Sequence, residues 1–200
     1  MSIGLRDPLE DPALLAAFAG GLVDAASSCE AMSGGHLHVQ TSEVRRLTTT
    51  DVLVSAGGPE VAVVAVYVGF SGSLSGHAIL MLPVEDARKL ARIVLGDLVD
   101  GTDDGSAGVR ANLTDLERSA FEEVGNVAVS AVLSRLGDHL GEAIHPAVPV
   151  SVHDMASAVL DAIVSDVVSP DEMVFAARTR FSQDARDATG VLLVVPAAHR

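Results

Sequence analysis

Helical spacing of apolar residues is clearest between Thr114 and Gly137, which we predict to form one long helix. Thr114 and Glu117, three residues apart, form a capping box, and Asp115 adds negative charge to the first turn. Arg135 suits the last turn of a helix, and Gly137 suits its C-terminal cap. The predicted buried stripe recurs every three or four residues. Its members are Leu116, Ala120, Val124, Val127 and Ala131.

A set of polar residues shares another side of this predicted helix. Ser119, Glu123 and Asn126 are spaced four and then three residues apart, so they lie on one face. Gly125 stands between the last two, and a glycine inside a helix costs roughly 1 kcal/mol relative to alanine. One explanation is that a bare backbone lets another molecule approach the Asn126 side chain. For an isolated E-x-x-N, a pair of solvated side chains is the simpler explanation.

The rest of the chain alternates between helical and extended patterns. A continuous apolar, β-branched run predicts a buried strand at Val61–Phe70, and a second strand returns at Leu74–Pro83. Helical spacing predicts helices at Ala13–Met32 and Glu85–Leu95. The remaining predicted elements are strands at His36–Val44, Ile144–Val152, Glu172–Phe181 and Gly190–Pro196, and a short helix at Asp154–Val164. Thr50–Ala56 is ambiguous.

The same order of elements occurs on both sides of an acidic, glycine-rich connector at residues 96–112. GHAILMLP closes the first half and GVLLVVP closes the second. We therefore predict an α+β fold in one domain, residues 1–200, built by tandem duplication of a helix–strand–helix–strand–strand unit. The two copies are residues 12–95 and 113–197. One copy cannot cover its own sheet, so both should share one sheet, with the two long helices packed on it.

Composition restricts the classes of function. The 200 residues are 48% hydrophobic and 20% charged, which is enough apolar material for a large core. The net charge of −14 argues against binding to nucleic acid or to an anionic membrane surface. We expect the apolar runs to be too short and too interrupted to span a bilayer, and the N-terminus lacks a signal-peptide pattern. A cytoplasmic protein without membrane insertion is the resulting prediction.

Other reactive residue types have simpler explanations than a site. Cys29 is the single cysteine, so an internal disulfide is excluded and a zinc–thiolate site is disfavoured. It is expected to be a buried small apolar residue. His36 and His38 share a strand face, but a solvated pair explains them better than a metal site. The serines lack a G-x-S-x-G context, and the glycines of residues 69–76 lack a P-loop lysine. We predict no metal site.

Four stretches, taken together, resemble a known family. They are the S-x-x-x-E-x-x-N pattern of Ser119, Glu123 and Asn126, the segment Pro146–Val164, the strand pair Val61–Pro83 and the final GVLLVVP. In their order along the chain they resemble the CheC family of chemotaxis phosphatases, whose relatives include CheX and the middle domain of the flagellar switch proteins such as FliY. The likeness extends from about Pro12 to Pro196.

This resemblance implies a hydrolase that dephosphorylates the aspartyl phosphate of a CheY-type response regulator. Asn126 would orient the attacking water, Glu123 would pair with the regulator's lysine, and Ser119 would have a secondary binding role. An amide both donates to and accepts from one water, and it adds no negative charge beside the phosphoryl group. The protein would need no cofactor of its own, because Mg²⁺ would be supplied by the response regulator.

One departure from the family concerns the first helix. Family members often carry E-x-x-N in both long helices, but Ala16 and Ala19 stand at those positions here. We therefore expect one active face per chain. The first helix would be structural or would bind another partner, of which the receptor deamidase CheD is the family's example. The alternative hypothesis is a non-catalytic adaptor that binds a response regulator or CheD. A flagellar switch component is a third, for which we expect additional segments.

Overall fold

The computed structural model describes residues 11–96, 112–164 and 173–197. The first half contains α1 (Pro12–Met32), β1 (His38–Thr41), β2 (Arg45–Thr48), α2 (Thr49–Ser55), β3 (Ala62–Gly72), β4 (Gly76–Pro83) and α3 (Val84–Leu95). The second contains α4 (Asp115–Leu140), β5 (Ile144–Pro146), β6 (Val150–Met155), α5 (Ala156–Val164), β7 (Met173–Gln183) and β8 (Arg186–Pro196).

These eight strands form one antiparallel sheet with the order β1-β7-β8-β4-β3-β5. Strand β2 also pairs with β7, and β6 also pairs with β3. Each half therefore places its two short strands beside a long strand of the other half. If each strand is exchanged with its counterpart in the other half (β1 with β5, β3 with β7 and β4 with β8), the same order results, read from the opposite edge. The α+β fold with one shared sheet is confirmed, whereas descent from a duplicated unit stays a prediction.

Both faces of the sheet are buried along most of β3 and β4 and the second half of β8, which explains the long apolar runs of these strands. Helices α1, α3 and α4 cover one face, where Val64 and Val66 of β3 point. Helices α2 and α5 cover the other, where Val63 and Ala65 point. Both long helices pack on the sheet, as predicted, and they lie on the same face. We refer to this face as the α1/α4 face and to the other as the α2/α5 face.

The two long helices lie side by side at a point where α1 has no side chain. A Cβ added to Gly21 would lie 2.9 Å from the Cα of Val132, so only a glycine allows the backbones to come this close. Near the same crossing, Arg135 Nε lies 3.6 Å from Asp24 Oδ2 at the surface. The glycines that weaken the first helical pattern therefore have a packing role.

Several predicted boundaries differ from those of the structure. The strand predicted at His36–Val44 is divided into β1 and β2, and the strand predicted at Ile144–Val152 is divided into β5 and β6. In both cases the edge of the sheet is made from two short strands. The ambiguous segment is helix α2, because Thr48 and Asp51 form a capping box at its start. Most of the 96–112 connector lies outside the described residues.

The C-terminal end of α4 was predicted wrongly. The helix continues past Gly137 and ends at Leu140, so Arg135 is not in its last turn. Gly141 takes the left-handed conformation, with φ 66°, and the N–H of Glu142 donates to Gly137 O. A glycine that can adopt positive φ ends a helix without steric cost. Two glycines were available, and the local sequence pattern did not distinguish which of them is the cap.

The predicted buried stripe of α4 is also partly wrong. Leu116 is 52% exposed, whereas Glu117 is 3% exposed. Val127 and Ala131 are only half-buried, while Ala120 and Val124 are buried as predicted. The buried side includes further residues that the five-residue stripe omitted, namely Phe121, Gly125, Ala128, Val129, Val132, Leu133 and Leu136. It is broader than predicted because α4 contacts both the sheet and α1.

Gly125 faces the sheet and not the surface, which overturns the idea that it opens the backbone to a visiting molecule. A Cβ built on Gly125 would lie 2.6 Å from Val66 Cβ and 2.7 Å from its Cγ2. The glycine therefore allows α4 to lie directly on β3. Its cost in helix propensity is offset by this close packing.

Helix α1 is the one described helix whose length and composition would allow it to cross a membrane, with a hydropathy of 1.3. The expectation that every apolar run is too short is therefore wrong for α1 by these criteria. Residues from Leu14 to Cys29 on one side of α1 are buried in the core, as in a helix of a folded domain. Cys29 is 1% exposed, and burial, with a smaller contribution from Glu30, raises its thiol pKa to about 12.

Replacement of Gly125 by alanine tests the packing of α4 on β3. We expect Gly125→Ala to destabilise the protein by about 1–3 kcal/mol, because the new methyl group overlaps Val66. If Gly125 instead faced open space, the same change would stabilise the helix by up to about 1 kcal/mol. Urea unfolding of the two proteins distinguishes these signs. Ser130→Ala, on the exposed side of α4, is the matched control and should change stability by less than about 0.5 kcal/mol.

Candidate functional site

The E-x-x-N motif lies on an accessible side of α4. Ser119 and Glu123 are exposed, and Asn126 is half-buried. The Glu123 carboxylate and the Asn126 amide nitrogen have no hydrogen-bond or ion-pair partner within the described ranges. The three predicted site residues therefore share one face, and both polar groups of the motif can be reached by another molecule.

One neighbour on the helix contacts the Asn126 amide. Ser130 Oγ, one turn further along, donates a hydrogen bond to Asn126 Oδ1 at 3.5 Å. This separation is at the long limit for an O–H···O hydrogen bond, so the restraint is weak. It directs the amide oxygen towards Ser130 and leaves the NH₂ group available as a donor.

The position of α4 determines the direction in which Asn126 points. Arg135 is on the side of α4 that contacts α1, where it pairs with Asp24. Asn126 precedes Arg135 by nine residues, and at about 100° per residue this places it on the opposite side of the helix. Gly125 rests on Val66 of β3, whose outer neighbour in the sheet is β6. Asn126 is therefore on the flank of α4 that overhangs the edge strand β6.

Strand β6 contributes polar residues to the same side of the molecule. Ser151 pairs with Val66 and His153 pairs with Val64, so both are on the α1/α4 face of the sheet. Ser151 is half-buried and His153 is exposed. We call the exposed side of α4 at Ser119, Glu123, Asn126 and Ser130, together with Ser151 and His153 of β6, the motif flank.

An ion pair with limited access to solvent holds the start of α4. Arg92 Nε of α3 donates to Glu117 Oε1 at 3.2 Å, and the other carboxylate oxygen accepts from the Thr114 N–H at 2.9 Å. The Glu117 N–H donates in turn to Thr114 Oγ1 at 3.2 Å. The predicted capping box is thus confirmed, and it is also connected to α3. This contact fixes the helix that carries the motif to the first half of the chain.

The environment of Glu117 favours its charged form. Burial acts to raise the pKa of this carboxyl, but hydrogen bonds from Thr114 and the contact with Arg92 lower it, and the net pKa lies below the ordinary value of 4.5. Because the folded protein binds this proton less tightly than the unfolded chain does, the ion pair stabilises the fold above the unfolded pKa. That contribution is lost as the pH falls through the lowered pKa.

Glu117→Gln should therefore destabilise the protein by about 1–2 kcal/mol near neutral pH, because it removes a charge-assisted hydrogen bond. The difference in unfolding free energy from the wild type should shrink as the pH falls below about 4. Chemical unfolding at a series of pH values measures both effects. Glu122→Gln changes a neighbouring carboxylate without such partners and serves as the control. A difference between wild type and Glu117→Gln that is independent of pH would contradict the assignment.

The first helix presents a different surface at the corresponding positions. The buried positions of α1 match those of α4 when Leu14 is placed on Phe121 and Ala25 on Val132. In this alignment Ala16 and Ala19 occupy the places of Glu123 and Asn126, and Val23, which is 61% exposed, takes that of Ser130. The flank of α1 therefore lacks the polar groups of the motif.

Sequence reasoning did not find every residue around the motif. Ser130 follows Asn126 by one helical turn, and this spacing could have identified it. Ser151 and His153 belong to a segment that was recognised only as part of the family resemblance, and their place beside α4 depends on strand register. Within the described ranges, no group of three or more His, Cys, Asp or Glu side chains is arranged to hold a metal ion.

Several solved structures of known proteins are similar to this chain. No family model matches the sequence. FliY from Thermotoga maritima has a similar structure, with a TM-score of 0.67 and 16% identity over 96% of this chain and 92% of that one. CheX from Borrelia burgdorferi, in a complex with CheY, BeF₃ and Mg²⁺, is also similar. Its TM-score is 0.55, with 16% identity over 90% of this chain and 98% of that one. The chain has the CheC/CheX/FliY-type fold.

A similar fold also occurs in FliM. FliM from H. pylori, in a complex with FliG, gives a TM-score of 0.58 and 13% identity over 92% of this chain and 94% of that one. At such identities the likeness establishes the fold and not the chemistry. These structural neighbours have different partners, since CheX was solved in a complex with CheY and FliM in a complex with FliG.

Proposed function

We propose that this protein is a chemotaxis phosphatase that hydrolyses the aspartyl phosphate of a CheY-type response regulator. The observation that carries this proposal is the accessible pair of Glu123 and Asn126 on the flank of α4, where the Glu123 carboxylate and the Asn126 amide nitrogen have no partner among the described residues. The pair is fixed in rotation by the contact between Gly125 and Val66. A rigid helix can hold an amide at a constant position relative to a docked partner.

Hydrolysis of an aspartyl phosphate would require this chain only to position a water and to bind the regulator. An acyl phosphate is reactive, and phosphoryl transfer depends mainly on positioning and charge stabilisation. Asn126 would orient a water for in-line attack on phosphorus, and the P–O bond to the regulator's aspartate would break. Glu123 would pair with the regulator's lysine, with Ser119 as a secondary contact. Mg²⁺ would be held by the regulator, and the proposed location is the cytoplasm.

The surroundings of the motif fit an extended protein partner better than a small substrate. Asn126 is on an open flank and not in a deep cleft, so a small phosphate ester would have few walls to contact. A protein that inserts its own active site over α4 could also contact β6 at Ser151 and His153. One protein of this fold, CheX, forms a complex with CheY, which supports this kind of partner.

A dephosphorylation assay tests the proposal. A CheY-type regulator is labelled with acetyl phosphate, and loss of its phosphoryl group is followed with and without this protein. Asn126→Ala should reduce the acceleration by about 10- to 100-fold, which corresponds to roughly 1.4–2.8 kcal/mol of lost positioning. Binding of the regulator should persist in this variant. Glu123→Ala should instead weaken binding, because it removes the charged contact.

Asn112→Ala is the matched control, since it removes the chain's other asparagine, which lies before α4 and outside the motif flank. Its activity should equal that of the wild type. The proposal fails if wild-type protein binds the phosphorylated regulator but does not accelerate its dephosphorylation. It also fails if Asn126→Ala retains full activity.

A non-catalytic adaptor is the second proposal, and the flank of α1 favours it. Ala16, Ala19 and the 61% exposed Val23 form an apolar surface where the other half carries its polar motif. Such a surface would suit a partner protein, for which a CheD-type deamidase is the proposed example. Retained regulator binding without any phosphatase activity would support this second role.

A further inference from the structure

A concave site lies on the α2/α5 face, away from the motif flank. It is a cavity of about 340 Å³ between the β1–β2 connection, α2 and strands β7 and β8. Its floor is apolar and includes Leu47, Ala176 and Val191. Its rim is polar and includes the side chains of Arg45 and Arg178. A pocket of this size with an apolar floor and few polar groups is typical of small-molecule sites.

The two arginines are close to each other in the sheet. Arg45 pairs with Ala176, and Arg178 follows Ala176 by two residues, so both arginines project from the α2/α5 face. Diagonal neighbours of this kind have Cβ atoms separated by roughly 7–8 Å. Neither guanidinium has an ion pair or hydrogen bond within the described parts of the chain. Two like charges are therefore adjacent, and neither forms an ion pair with a described carboxylate.

This arrangement contrasts with most other arginines of the described ranges. Arginines at four positions pair with carboxylates, in the combinations Arg88–Glu85, Arg92–Glu117, Arg135–Asp24 and Arg180–Asp187. The chain has 27 acidic residues against 13 basic ones, so carboxylates are abundant. Arg118 is a further arginine without such a partner, and it does not line the cavity.

The rim of the cavity is held in place by hydrogen bonds. The Ser42 N–H donates to Arg178 O at 2.8 Å, and the Arg178 N–H donates to Ser42 Oγ at 2.9 Å. These bonds fix the β1–β2 connection to β7 beside Arg178. Because this backbone is already ordered, only the arginine side chains would lose conformational freedom when a ligand binds.

One carboxylate also lines the cavity and must be included in the charge balance. Glu43 is exposed and forms no ion pair with either Arg45 or Arg178. It offsets one of the two positive charges at most, so the rim keeps a net positive charge. In a chain with a net charge of −14, such a local excess is unusual.

The fold itself does not require these arginines. At the opposite edge of the sheet, Val150 pairs with Tyr67 at the start of β6, just as Arg45 pairs with Ala176 at the start of β2. Gly69 accepts from the edge connection as Arg178 does. The opposite edge is therefore built in the same way with Val150 and Gly69, and the guanidinium pair is a feature of one edge only.

We propose that this cavity binds a small organic anion, with a phosphate or carboxylate group held by Arg45 and Arg178. Guanidinium groups bind both kinds of oxyanion through paired N–H donors. The carbon body of the ligand would contact Leu47, Ala176 and Val191. This proposal is independent of the phosphatase hypothesis, because the cavity and the motif flank lie on opposite faces of the sheet.

An NMR titration of ¹⁵N-labelled full-length protein tests the site. Inorganic phosphate and succinate are added separately, with sodium chloride adjusted to keep the ionic strength constant. We expect saturable shifts of the amides at residues 42–45 and 176–178 with at least one anion. A response to phosphate alone identifies a phosphate ligand, and a response to succinate alone identifies a carboxylate ligand. Asn126→Ala should bind as the wild type does.

Three variants decide between a site and a general charge effect. Arg45→Ala and Arg178→Ala should each weaken binding by at least about tenfold, because each removes charge-assisted hydrogen bonds. Arg118→Ala removes the same charge elsewhere and should bind like the wild type. The proposal is overturned if neither anion gives saturable shifts. It is also overturned if the double variant Arg45→Ala/Arg178→Ala binds as tightly as the wild type.

Discussion

The contact between α4 and β3 at Gly125 is the constraint on which the rest of the site depends. Because Gly125 has no side chain, the helix lies directly on Val66, where an added Cβ would be only 2.6 Å away. A helix this close to a strand cannot rotate without a clash, since protein interiors are close-packed. Asn126, the next residue, is then turned about 100° away from the sheet. Packing inside the core thus determines what is displayed at the surface.

The two halves meet the same packing requirement with different residues. On the α1 side, Phe18 packs on Phe175 with ring centroids 6.0 Å apart. On the α4 side, the corresponding contact is made by Gly125 and Val66. Helix α1 therefore packs on the sheet through two phenylalanine rings, whereas α4 packs on it through a glycine. The scaffold therefore has similar architecture in its halves but is not symmetric in its core or its surface chemistry.

The polar and charged surface residues also differ between the two halves. The α4 half carries Glu123 and Asn126 on its outer flank, while the matching places of α1 are Ala16 and Ala19. Conversely, Arg45 of β2 and Arg178 of β7 form the cavity rim at one edge of the sheet, whereas the opposite edge has Val150 and Gly69 at the matching positions. Each half thus keeps the shared fold and carries polar groups at a different location. In the CheC/CheX/FliY-type fold, function is determined by such local surfaces and not by the scaffold.

Strong periodic patterns in the sequence determined the element types, the shared sheet and the common face of Ser119, Glu123 and Asn126. These features depend on local spacing and on the need to cover an apolar sheet. The end of α4 at Gly141, the burial of Glu117 beside Arg92 and the inward direction of Gly125 were decided by tertiary structure. Each depends on a partner that is distant in sequence or on a choice between equivalent local signals. The pairing of Ser151 with Val66, and of Arg45 with Ala176, likewise requires strand register. Local spacing cannot specify that register, because it is determined by contacts between residues far apart in the chain.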